Sequence, residues 1–312
     1  MKRALILVLL LALVPWTVAD RGTLYFITLI LIWSIFALGF DLTFGVAGLL
    51  SFGHAAFFGV GAYAYALVML KNPALLPVAM LAAALSGAIA AVIVAALALR
   101  LSGIYFSLMT LAIAELGFFA ASSPMRGLTG GEDGLTAIPR PALLGIDFYN
   151  DANFFWLVLV AFASALLAAR LVRGSPFGKS LDGIRLNEIR SEQLGFDVKR
   201  QKLAIFGISG LFSGVAGALL CALMQFVSTQ SLHWSTSGDV VMMTLLGGLG
   251  TLYGPIIGVV VFETLKEVFS SWTVHWYGLL GVLFILATMY MPDGLHGLLT
   301  TLRTRLRKGT PE

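Results

Sequence analysis

The sequence is poor in charge. Only 12% of its 312 residues are Asp, Glu, Lys or Arg, against ~25% in an ordinary soluble domain. With 59% hydrophobic residues it excludes a soluble fold of ordinary size and reads as an integral membrane protein. Cysteine is nearly absent. Cys221 stands alone, which excludes an internal disulfide and any multi-cysteine metal site. It reads as a small packing residue. The four histidines, His54, His233, His275 and His296, have no second ligand at metal spacing. No HExxH, haem pattern or Ser-His-Asp order is present, so neither an intramembrane enzyme nor a cofactor bound by this chain is expected. Short alternating segments are also missing, which argues against a β-barrel. The net charge of +4 is no nucleic-acid signal, because Lys and Arg sit at the ends of apolar runs, where the positive-inside bias places them.

What is there is a series of long apolar runs: 4–19, 23–40, 42–70, 74–99, 102–123, 153–172, 203–227, 240–262 and 274–291. At ~16–29 residues each they suit helices across a hydrocarbon core ~30 Å thick. Lys2 and Arg3 place the N terminus in the cytoplasm. Thr17-Val18-Ala19 imitates a signal cleavage site, but an uncleaved first span is the expectation. Loop 124–152 then falls outside, with Glu132, Asp133, Asp147 and Asp151 against Arg126 and Arg140. Loop 173–202 falls inside, with Arg173, Lys179, Arg185, Arg190, Lys199, Arg200 and Lys202 against four acids. Nine crossings would leave the basic tail 303–312 (Arg303, Arg305, Arg307, Lys308) outside.

One run must therefore hide an extra crossing. Leu246-Gly247-Gly248-Leu249-Gly250-Thr251-Leu252-Tyr253-Gly254-Pro255 disfavours a continuous helix, since glycine costs ~1 kcal/mol and interior proline ~3. The spacing predicts a half-span over about 239–249 and a second span over about 253–270. That makes one domain, 1–312, of about ten transmembrane helices, some short or broken, with both termini cytoplasmic. A second glycine-rich stretch, 44–62, permits close helix approach or local unwinding and hints at a weak internal repeat. The spacings Gly250-Gly254-Gly258 and Gly210-Gly214 fit either packing within one subunit or a subunit interface.

Ionisable residues inside such runs are functional candidates. Glu115 lies mid-span and reads either as a hydrogen-bonded structural group or as a pathway or proton-relay residue. Asp41 ends the second run, where interfacial placement costs little. Glu263, Lys266 and Glu267 share one helix face and can neutralise each other. His54, between Gly53 and Ala55, either lines a cavity or bonds across a helix pair. Gly174-Ser175-Pro176-Phe177-Gly178-Lys179-Ser180 imitates a phosphate loop but has three residues between its glycines where four are needed. Loop 173–202 fits two short helices, about 176–185 and about 187–194, with Asn187 as cap and Gly195 as stop. It is either a solvated connector or a docking element for a soluble motor.

Several segments together resemble the LivM-type permease subunit of branched-chain amino-acid ABC importers. They are Ala37 to Leu42, Ala47 to Tyr63, Leu101 to Phe106, Thr110 to Glu115, Leu128 to Leu135, Ser175 to Lys179, Asn187-Glu188, Leu194-Gly195 and Leu246 to Pro255. The resemblance implies the ten-span type II importer fold, in a bacterial inner membrane. It implies a paralogous LivH-type permease completing a heterodimer, two cytoplasmic ATPase subunits that bind ATP and Mg, and a periplasmic substrate-binding protein. It makes 173–202 the ATPase-coupling loop, through Pro176, Phe177, Lys179, Arg185, Asn187, Glu188, Arg190, Glu192, Leu194 and Gly195. Candidates for the translocation path are Ser51, His54, Tyr63, Glu115, Gly247 and Gly248. Relatives carry leucine, isoleucine and valine, but also other amino acids, urea, amides and aromatic acids. The competing reading is an ion-gradient-driven transporter with Glu115 carrying the proton; a third is a structural or channel-forming subunit.

Overall fold

A computed structural model describes residues 2–17, 20–140, 142–143, 146–291 and 294–297. The 303–312 tail and the Val18-Ala19 part of the cleavage-like site lie outside the described residues. The chain opens with α1 (Lys2–Ala12) and α2 (Val14–Thr17), followed by α3 (Arg21–Asp41), α4 (His54–Lys71), α5 (Leu76–Ala98) and α6 (Ile104–Ser122). A short α7 (Arg126–Thr129) and a two-stranded antiparallel hairpin, β1 (Ala142–Leu143) with β2 (Ile146–Asp147), fill the next loop. Then come α8 (Asp151–Gly174), α9 (Pro176–Leu186), α10 (Glu188–Gln193) and α11 (Val198–Met224). α12 (Trp234–Gly247), α13 (Gly254–Trp272) and α14 (Trp276–Tyr290) close the bundle.

Local chemistry explains many of the boundaries. Asp20 caps α3: the Thr23 hydroxyl and amide donate to its carboxylate at 2.7 and 2.8 Å, which holds that carboxyl below its usual range. Asn150 starts α8 by accepting from the Ala152 amide at 3.0 Å. Pro77 and Pro255 sit in the first turns of α5 and α13, where the missing N–H has no intrahelical partner to lose.

Among the described residues, six helical segments are long and apolar enough to cross a membrane: Arg21–Val46, His54–Lys71, Leu76–Ala98, Ile104–Ser122, Asp151–Gly174 and Val198–Met224. The expected count of about ten is not confirmed. At 1.5 Å per residue, the 14 residues of α12 reach only about 21 Å, short of a ~30 Å core. α13 carries Glu263, Lys266 and Glu267. The apolar pieces Leu7–Trp16 and Trp276–Tyr290 are also too short to span it as straight helices. Run 42–70 is also not one element. A π-helical turn, Leu42–Val46, extends α3, residues 47–53 leave the helix, and α4 starts at His54. Ala47, Ser51 and Gly53 of this break are buried and Gly48 is exposed; at membrane depth irregular backbone survives only where it is buried in protein or lines a cavity.

α4, α5 and α11 form the centre of the bundle. A Cβ on Gly61 would lie 2.3 Å from the Gly214 Cα, and one on Gly87 would lie 2.5 Å from the Gly210 carbonyl oxygen. Backbones therefore touch, the packing mode available where lipid supplies no hydrophobic drive between helices. The glycine spacing at 210 and 214 serves packing within this chain. α3 lies against this block and also meets α8, α12 and α13. Trp33 stacks on Phe58 with centroids 5.8 Å apart, and Phe36 meets Phe58 at 4.8 Å.

Candidate functional site

Segment 173–202 folds as its punctuation demands. Ser175 caps α9: its hydroxyl donates to the Val172 carbonyl at 2.7 Å and accepts the Gly178 amide at 3.2 Å. Asn187 caps α10 by accepting from the Arg190 amide at 2.9 Å. Gly195 ends it at φ +89°, a left-handed conformation that glycine adopts without strain. The pair is anchored on one side only. Leu181 and Ile184 are buried, the Ser180 hydroxyl donates to the Gln201 side chain at 2.6 Å, and Glu188 pairs with Lys202 at 2.7 Å.

The opposite side is bare and partly apolar. Leu186 is 87% exposed, Ile189 69%, Leu194 72% and Phe196 43%. Arg190, Glu192 and Lys179 are exposed around them. Pro176 occupies the first turn of α9, and Phe177 is half-buried against the core. Pro176, Phe177 and Leu194 were expected at the docking face. Leu186, Ile189 and Phe196 were obscured because the segment was weighed by its charges.

Arg185 turns inward. Its guanidinium donates to the Gly45 carbonyl in the π-helical turn. One end of α8 adds Arg173, which donates to the Gly250 carbonyl and lies 3.6 Å from the Asp41 carboxylate. Asp41 is 3% exposed and accepts the Gly250 amide at 2.8 Å. The two glycine-rich stretches, 44–62 and 246–255, thus meet under α9 through Gly45 and Gly250. The α12–α13 break falls where the glycines and Pro255 predict, although α12 begins at Trp234 rather than near 239. A cavity of ≈ 680 Å³ opens beside this junction, lined by Gly48, Leu50 and Phe52, the 99–104 connection, the start of α6, and Arg185 and Glu188.

The six path candidates do not form one site. Ser51 is buried in the 47–53 loop and accepts the Gly53 amide at 3.1 Å. His54 is fully buried among Phe40, Phe57 and Phe206. Its Nε2 lies 2.9 Å from the Ser209 hydroxyl and 3.2 Å from that of Thr43. Both hydroxyls also donate to carbonyls, Ser209 to Gly39 and Thr43 to Phe40, so His54 is a cross-helix tie. Tyr63 is 7% exposed on α4. Glu115 accepts the Trp234 amide at 3.0 Å and so complements the positive end of α12. With its carboxylate occupied in this way, Glu115 gives the ion-gradient reading no support. Gly247 and Gly248 end α12, and a Cβ on Gly247 would lie 1.8 Å from the Gly254 carbonyl oxygen. The residues missed in sequence are Arg173, Asp41, Gly45 and Gly250 as one cluster; an intramembrane carboxylate ending a helix was the available signal.

An all-helical bundle with broken helices and a charged surface segment of paired short helices defines a membrane permease component. The chain belongs to the family described as branched-chain amino acid transport system / permease component, which matches residues 22–288. It is 33% identical to the high-affinity branched-chain amino acid transport system permease protein LivM of Escherichia coli (strain K12), over 94% of this chain and 75% of that one. The LivM protein of Salmonella typhimurium (strain LT2) is 30% identical, with the same coverage. The ribose import permease protein RbsC of Haemophilus influenzae is 24% identical over 85% of this chain and 82% of its own. No solved structure matches.

Proposed function

We propose that the chain is one of two membrane subunits of an ATP-driven importer and forms half of the path for branched-chain or related amino acids by alternating access. The observation that carries this reading is the patch of Leu186, Ile189, Leu194 and Phe196 on a charged surface segment. Apolar side chains held out from helices that are anchored behind them are the mark of a docking face. The occupants are two ATPase subunits in the cytoplasm, which bind ATP and Mg. A LivH-type permease completes the pore, and a periplasmic protein delivers the solute. In this reading the short elements α1–α2 and α12–α14 complete a ten-helix type II arrangement, with 124–152 periplasmic and both termini cytoplasmic, in a bacterial inner membrane. The cavity beside α9 gives the solute its way out.

Reconstitution in proteoliposomes tests the reading. The five-component assembly should accumulate leucine, isoleucine or valine only with ATP. A variant ATPase unable to hydrolyse ATP should abolish accumulation. If this chain alone concentrates solute on a proton or sodium gradient, the proposal fails.

A further inference from the structure

We propose that Arg173, Arg185 and Asp41 are positioning residues that carry the displacement of α9 into the two broken helices. The inference rests on α9–α10 being the ATPase-docking element.

The linkage begins at α9 itself. A Cβ on Gly178 would lie 2.3 Å from the Val172 carbonyl oxygen and 2.8 Å from that of Arg173. The first turn of α9 therefore sits directly on the last turn of α8, and the two move as one piece. Arg173 projects from that turn to the Gly250 carbonyl and the Asp41 carboxylate. Arg185, near the other end of α9, reaches the Gly45 carbonyl. The stem of Arg185 lies on Gly48, where a Cβ would come 2.9 Å from Arg185 Cγ. Each end of α9 thus holds one helix break. The breaks also hold each other, since a Cβ on Gly45 would lie 2.5 Å from the Gly250 amide nitrogen. That amide donates to Asp41. Carbonyls freed by a broken helix are the natural partners of the two guanidiniums. Side-chain hydrogen bonds of this kind pull on backbone, so a shift of α9 changes the geometry of both breaks together.

The test uses the full five-component assembly in proteoliposomes, with Arg173→Gln, Arg185→Gln and Asp41→Asn compared with the unaltered chain. Asp41→Asn keeps the shape and an acceptor for the Gly250 amide. ATPase subunits should bind all variants as they bind the unaltered chain. Solute moved per ATP hydrolysed should fall about tenfold, with Arg173→Lys recovering part of it. Spin labels at Asp182→Cys and Leu252→Cys, in a Cys221→Ala background, supply a second measurement. On ATP addition the unaltered linkage should move both labels, and Arg173→Gln should leave only the α9 label responding. Unchanged solute per ATP, or a Leu252 label that still responds in Arg173→Gln, overturns the linkage. Loss of ATPase binding in the variants overturns it as well, because these residues would then serve docking. Failure of the ATPases to bind the unaltered chain instead sinks the docking reading.

Discussion

Replacing Leu186 and Ile189 together with alanine separates docking from folding. The two side chains are 87% and 69% exposed in this chain, so their loss should change its own stability by no more than about 0.5 kcal/mol. Covered by a partner, they are worth far more. Each substitution removes three carbon groups at ~0.8 kcal/mol apiece, and scaling by exposure gives about 4 kcal/mol for the pair if covering is complete. That is roughly 700-fold in affinity; half covering leaves about 2 kcal/mol, roughly 25-fold. The assay is titration of the purified ATPase subunits onto the permease pair in nanodiscs, with a thermal melt of each variant alongside. A melt that stays put with affinity reduced by at least the lower figure supports the docking face. Affinity within about threefold of the unaltered chain refutes it, because apolar groups this exposed cannot be covered without contributing.

Two further outcomes follow from the geometry. Gly258→Ala should destabilise the bundle by about 1–3 kcal/mol, since the added Cβ would lie 1.8 Å from the Met243 carbonyl oxygen and neither backbone can yield cheaply; a lowered melting temperature in detergent checks it, and an unchanged one denies the α12–α13 contact. Glu115→Gln keeps an acceptor for the Trp234 amide and gives up only a charge near a helix end, worth at most about 1 kcal/mol. Uptake and its pH profile should be retained, and loss of uptake in a well-folded variant would restore the proton-carrier role.

Where glycine, proline, serine and asparagine punctuate the chain, the fold was legible. Ser175-Pro176, Asn187 and Gly195 set α9 and α10 to within a residue or two, and the cluster around Gly250 marked the second break. The first break was legible only in part: the glycines of 44–62 allow local unwinding, but residues 47–53 are as apolar as the helices flanking them, so the run 42–70 carries no dip in hydropathy to place it. What keeps it open is remote. Ser107 donates to the Leu50 carbonyl at 2.7 Å, Thr110 accepts the Phe52 amide at 3.1 Å, and Ser237 on α12 accepts the Ala55 amide at 2.8 Å. Such ties join residues far apart in sequence and leave no local pattern. The partners of Asp41 were hidden for the same reason. By position it was a cheap interfacial carboxylate, and only the fold brings Arg173 and the Gly250 amide to it.

The contact of Gly61, Gly87 and Gly214 works as a keystone. Helices whose main chains already touch have no compressible layer of side chains between them. The wedge of α4, α5 and α11 must therefore tilt as a solid piece, and cannot loosen from within. In the proposed transport cycle the movement then falls outside this wedge, on elements such as the two interruptions beneath α9. A methyl group added at the keystone should halt the cycle even in protein that still inserts and assembles.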